Sequence, residues 1–180
     1  MKIFSTTLRA IAVSFFMLLP SFGFAAEIER FVGTYVGTAD FTSGTETRQR
    51  DMSVTIDTAK DGFSLTWTSV SYKDDGRTKE KTYTIQFVPS SRENIYQSAM
   101  KTNLFGKAVP MDPLKGDPFV WARFEGDTFS VYSLFINEVG EYEIQEYHRT
   151  LVEGGLEMVF LRVHNGAPEA EVRTILQRQD

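Results

Sequence analysis

Tight-turn dipeptides recur through the chain at strand-length intervals. They are Ser43-Gly44, Asp61-Gly62, Asp75-Gly76, Gly126-Asp127, Val139-Gly140, Gly154-Gly155 and Asn165-Gly166. Asp-Gly and Asn-Gly suit two-residue hairpins, whose central positions need positive φ. The runs between them alternate in character. Phe63, Leu65 and Trp67 oppose Ser64, Thr66 and Thr68, and Tyr83, Ile85 and Phe87 oppose Thr82, Thr84 and Gln86. Period-two alternation marks half-buried strands, and short strands between regular turn signals mark a β sandwich or barrel. The pattern predicts an all-β chain, an antiparallel up-and-down meander barrel of roughly 8–10 strands with little helix. The exception is 26–31, where one short helical turn is expected before the first strand.

The opening strand, Arg30–Phe41, sharpens this. Phe31, Gly33, Tyr35, Gly37 and Ala39 fall on one face and Val32, Thr34, Val36 and Thr38 on the other. Glycine weakens a strand and so marks a bend or a close backbone approach. A barrel needs such corners, because its sheet must coil until the last strand meets the first. Arg30–Phe41 is therefore expected to close the barrel against Glu171–Gln177.

The first 25 residues read as a segment removed before folding. Lys2 and Arg9 precede an apolar run from Ala10 to Leu19, and the segment ends Gly23-Phe24-Ala25. This is a secretory signal peptide, with cleavage expected after Ala25. Residues 26–180 then form a single barrel domain in the periplasm or extracellular space. Losing two basic residues takes the formal charge from -5 to -7. A modestly acidic chain with scattered lysines lacks the basic footprint of a nucleic-acid binder. The mature chain has no apolar stretch long enough to span a membrane as a helix. The chain has no cysteine, which excludes thiolate catalysis, zinc fingers and iron–sulfur ligation.

Thr102–Asp117 breaks the strand rhythm with Gly106, Pro110, Pro113 and Gly116, yet carries Leu104, Phe105, Val109, Met111 and Leu114. Long loops in compact domains are often lids or binding loops. Here the segment is expected to cover one barrel mouth, as an apolar plug or as a lid.

Large aromatics at inward positions serve either a packed interior or a pocket for one small ligand. Tyr35, Trp67, Phe87, Trp121 and Phe129 are the aromatic candidates, and Arg123 or Arg162 would meet a polar head group. His148 lies within a strand and His164 ends the next one. A histidine facing an apolar barrel suits haem iron, and Glu146 shares the His148 face. The bland reading, a hydrogen-bonded structural histidine, is favoured, and the spacing offers no dense ligand cluster. No Gly-x-Ser-x-Gly elbow, phosphate loop or dinucleotide fingerprint occurs.

An exported up-and-down barrel opening with Gly33-Thr34-Tyr35 resembles the calycins, the lipocalins and fatty-acid-binding proteins. Lipocalins open with Gly-x-Trp and pack a last-strand arginine over that ring. The matching positions are Gly33, Tyr35 and either Arg173 or Arg178. Tyrosine replaces tryptophan, and neither the flanking helix of lipocalins nor the helical lid of fatty-acid-binding proteins is present. The resemblance implies an internal cavity for a hydrophobic ligand. Nitrobindin-type barrels bind haem through one histidine, which would fall to His148.

The expected function is a non-enzymatic exported binding or carrier barrel for a hydrophobic small molecule or lipid, lined by the candidates above, with no metal and no cofactor. One alternative is a barrel enzyme of isomerase or lyase type, which needs His148, Glu146 or Tyr147 in the cavity. The other is a cell-envelope structural or interaction module with a filled barrel.

Overall fold

A computed structural model describes residues 27–43, 46–73, 75–102 and 108–179. The expected signal peptide and the Leu104–Phe105 patch lie outside the described residues. Ten antiparallel strands close into an up-and-down barrel. They are β1 (Gly33–Ser43), β2 (Glu46–Ala59), β3 (Gly62–Tyr72), β4 (Thr78–Pro89), β5 (Ile95–Ser98), β8 (Phe119–Glu125), β9 (Thr128–Ile136), β10 (Tyr142–Val152), β11 (Gly155–His164) and β12 (Ala167–Gln179). A two-residue pair, β6 (Lys101–Thr102) with β7 (Ala108–Val109), sits in the connection from β5 to β8. Among the described residues, helix is confined to 27–29 and a 3-10 turn, Pro113–Lys115. Among the described residues no helix is long and apolar enough to cross a membrane.

β1 pairs antiparallel with β12, through Thr34 with Gln179, Tyr35 with Arg178 and Val36 with Gln177. This is the seam expected from the opening strand. The glycines explain its tightness. A Cβ on Gly37 would stand 2.9 Å from the Ile175 carbonyl oxygen. Gly33 has φ +147°, and a Cβ there would meet Arg178 Nε at 3.3 Å. Of the two arginines considered for the ring of Tyr35, Arg178 is the one that lies over it, 5.8 Å from its centroid. Its Nη2 also donates to the Val32 carbonyl at 2.8 Å.

Pairing is dense around most of the ring and sparse at β5. β1 and β2 share eleven register pairs, and β2–β3, β3–β4 and β10–β11 share ten each. The β1–β12 ladder has three, but the strands stay together beyond it, with the Thr174 hydroxyl donating to the Thr38 carbonyl at 2.6 Å. β5 has three pairs with β4 and three with β8. The run from β8 through β12 and β1 to β4 thus closes on itself through one narrow joint, β5.

The interior is divided along the barrel axis. The half holding the β2–β3, β8–β9 and β10–β11 turns is solid. Phe63 stacks on Phe87 at 5.0 Å between centroids and meets Phe129 edge-on at 5.4 Å, and Phe124 stacks on Phe129 at 4.8 Å. Aromatic pairs at such spacings add about 0.5–1.5 kcal/mol each to the area they bury. The helical turn expected before β1 stoppers this end. Phe31 is fully buried against Phe124 and Phe129, Ile28 is buried beside it, and the Tyr35 hydroxyl donates to the Phe31 carbonyl at 2.9 Å. Outside, Arg30 pairs with Asp127 across the barrel base.

Candidate functional site

The other half of the barrel is hollow. A cavity of about 660 Å³ opens at the end where β1 runs out, β2 begins, β3 finishes and β4 starts. Alternation sets its lining. Met52, Trp67, Ile85, Val120 and Phe160 each lie two residues from an inward side chain of the packed half. Three rings close the bottom: Tyr147 lies 4.7 Å from Phe160 and 6.2 Å from Trp67, centroid to centroid.

Nearer the mouth the lining becomes basic. Arg48, Arg50, Lys79, Lys81 and Arg162 all border the cavity, with Ser69, Ser71, Ser133 and Gln145 between them. No aspartate or glutamate is among the described lining residues. Arg50 lies over the Phe41 ring at 4.2 Å. Arg162 Nε lies 2.8 Å from Glu169 Oε2, off the line of a hydrogen bond. In a chain of formal charge -5, this cluster makes the mouth locally opposite in sign to the whole molecule.

Below the aromatic floor sits Arg149, 2% exposed. Its sheet neighbours are Phe129 on β9 and Met158 on β11, both fully buried. The guanidinium lies 5.3 Å from the centre of the Tyr147 ring and 5.7 Å from that of Phe129. Its Nε and Nη1 are buried without a hydrogen-bond partner. Burial pulls its pKa down to about 10, and burial pushes the Tyr147 phenol up, against the opposing pull of Arg149 and Arg162.

The sequence-derived candidates divide by position. Trp67 and Arg162 line the cavity. Tyr35, Phe87 and Phe129 face inward but are buried in the packed half, outside the cavity lining. Trp121, Arg123 and His148 face outward, which corrects their expected placement. On β8 the inward set is Val120, Ala122 and Phe124, because Phe124 joins the Phe63–Phe129 cluster and fixes the phase of the strand. Trp121 then stacks on Tyr132 at 5.0 Å on the outer face, and Arg123 pairs with Glu125 at 2.6 Å. On β10 the inward residues Tyr147 and Arg149 put Glu146 and His148 outside. There His148 Nδ1 lies 2.8 Å from Ser130 Oγ and Nε2 lies 3.1 Å from Glu146 Oε2. Neither histidine is among the cavity lining residues. Of the three acid–base groups weighed for an enzyme, Tyr147 alone lines the cavity. No cluster of three or more potential metal ligands occurs among the described residues.

The loop before β8 is described only at Thr102 and from Ala108 on. β4 pairs with β5 through Phe87–Pro89, with the Ala99 amide donating to the Gln86 carbonyl at 2.8 Å, which leaves the rest of β4 without a strand partner toward β8. Met111 and Pro118 border a side cavity of about 280 Å³ there, which shares Trp67, Tyr83, Ile85 and Val120 with the main one, and Pro118 lines the main cavity as well. Leu114 is 80% exposed. Asp112 caps the 3-10 turn by accepting from the Leu114 amide at 3.0 Å, and Lys101 pairs with Asp117 to hold the segment to the wall.

Sequence reasoning missed Arg48, Arg50, Lys79, Lys81 and Arg149, and weighed Tyr147 only as an acid–base group. The signal was present for the lysines: Lys79 and Lys81 share the face of Tyr83, Ile85 and Phe87. The grouping around the Asp75-Gly76 turn suggested a solvated hairpin instead.

Fold and site together define a class: a closed ten-stranded antiparallel barrel, solid at one end and hollow with a basic mouth at the other. No known protein family and no curated protein sequence matches this chain.

Proposed function

We propose that the protein is an exported binding or carrier barrel for a hydrophobic small molecule that carries an acidic group. The observation that supports this reading most directly is the composition of the cavity wall, apolar and aromatic below and basic above, with no carboxylate among the described lining residues. Its volume, about 660 Å³, falls in the range of small-molecule sites. An apolar body gains about 25 cal/mol for each Å² it removes from water. The basic mouth adds attraction for an anion and speeds its capture. Export follows from the signal-like segment at residues 1–25, and the proposed setting is the periplasm or the extracellular space. The reading is of a binder, with no catalytic step.

The test is a fluorescence titration with three amphiphiles of equal chain length, one anionic, one neutral and one cationic. Trp67 lines the cavity and Trp121 lies outside, so the Trp121→Phe variant isolates the reporting residue. The anionic amphiphile is expected to change Trp67 emission with the highest affinity, and added salt is expected to weaken it. Equal affinities for the three, or no response to any, overturns the reading.

A further inference from the structure

Resting on that reading of the cavity, we propose that the occupant is acidic at both ends, one acid meeting the basic mouth and the other meeting Arg149 beneath the floor.

Buried arginines in proteins are normally paired, because an unpaired charge in a low-dielectric interior is costly. Arg149 departs from this rule. It is as buried as the phenylalanines around it, and two of its nitrogens have no acceptor. No carboxylate pairs with it among the described residues, and Tyr147 is the one titratable group whose charge bears on it. The side chain's neighbours in the sheet, Phe129 and Met158, offer no oxygen. The folded chain therefore holds a guanidinium whose counter-charge is missing. A planar guanidinium with free N–H donors matches a carboxylate or similar oxyanion.

The route to it runs through the cavity. The Tyr147 ring lines the cavity and carries the Arg149 guanidinium 5.3 Å from its centroid. Its hydroxyl donates to Gln145 Oε1 at 3.2 Å, so an acid in the cavity reaches Arg149 when the Tyr147 ring swings aside.

The mouth supplies a second basic level, where Arg48, Arg50, Lys79, Lys81 and Arg162 border the cavity. Arg162 stands opposite Gln145 in the β10–β11 register, four residues from Arg149 along β10. At about 3.3 Å per residue, the two basic levels are separated by about 13 Å along the strand. Between them lie the rings of Trp67, Tyr147 and Phe160. One acid satisfies one level only. An apolar chain of that length with an acid at each end satisfies both.

The experiment compares straight-chain monocarboxylates with α,ω-dicarboxylates of matched, graded length, titrated against wild type, R149M and R149K and read by Trp67 fluorescence in the Trp121→Phe background. At one chain length the diacid is expected to bind wild type about tenfold tighter than its monoacid. R149M is expected to bring the diacid down to the monoacid's affinity, and R149K to fall between. Without ligand, R149M is expected to melt above wild type, since the unpaired charge is gone. Equal affinities for monoacid and diacid in wild type overturn the proposal whether or not either variant folds. So does an R149M variant that weakens the monoacid as much as the diacid, because a single acid seated at Arg149 would explain that result. If neither acid binds at any length, the reading of the cavity as an acid site falls with it.

Discussion

Tyr147 and Arg149 are two residues apart on β10, face the same interior and ionise in opposite senses. Burial raises the phenol's pKa and lowers the guanidinium's, in both cases because the charged form loses water that the interior does not replace. Tyr35 and Tyr96 are raised for the same leading reason. Unfolded tyrosines lose their protons near pH 10, whereas these three hold theirs to higher pH. The stability they contribute is therefore complete below about pH 10 and is lost as pH rises through the folded values. Arg149 opposes this over part of the same window, because above about pH 10 the folded chain sheds a proton that the unfolded chain keeps. In an alkaline titration followed by tyrosinate absorbance, Tyr35, Tyr96 and Tyr147 are expected to ionise later in native than in urea-unfolded protein. The Tyr147→Phe variant is expected to remove one late step, and a native titration superimposable on the unfolded one contradicts this account. Alternation told that Tyr147 and Arg149 share one face of β10 and Glu146 and His148 the other, but not which face points inward. It gave no sign that the barrel is packed at the level of Arg149 and hollow at the level of Arg162, because that depends on how far the aromatic cluster fills the axis.

At the scale of elements, the helical turn at 27–29 and the strand it leads into are one device. Phe31 fills the base, Tyr35 fastens to its carbonyl, and Arg30 ties the outside to Asp127. Truncating a fully buried phenylalanine costs about 3–5 kcal/mol, and losing one internal hydrogen bond costs about 1 kcal/mol. Phe31→Ala is thus expected to unfold at markedly lower urea concentration, with Tyr35→Phe a smaller step in the same direction. A Phe31→Ala chain as stable as wild type would show that the stopper is ornamental. This element was readable in advance, because glycines on the interior face of β1 leave few explanations besides a close neighbour. β8 was not. Phe119, Trp121 and Arg123 alternate with Val120, Ala122 and Phe124, and both sets look fit for a core. The choice is made by Phe124 finding Phe129 and Phe63, partners distant in sequence, so no local pattern selects the phase. Trp121 and Arg123 followed it outward, and His148 followed the equivalent choice on β10.

Across the whole molecule, the three-pair joints on either side of β5 set the barrel's mechanics. A ring knit evenly behaves as a hoop. A ring with one weak joint behaves as a clasp, whose enclosed volume depends on how far the joint opens. The hollow end draws its lining from both sides of that joint, Trp67 and Lys81 from one and Phe160 and Arg162 from the other. Amides of β5 are accordingly expected to exchange with deuterium faster than those at the centres of β2, β3 and β10, and to slow when the cavity is filled. Uniform exchange around the ring would argue for the hoop. On the clasp description, an occupant that bridges the two sides acts as a staple. The free energy released on filling the cavity then appears partly as stiffness at β5, far from any atom the occupant touches.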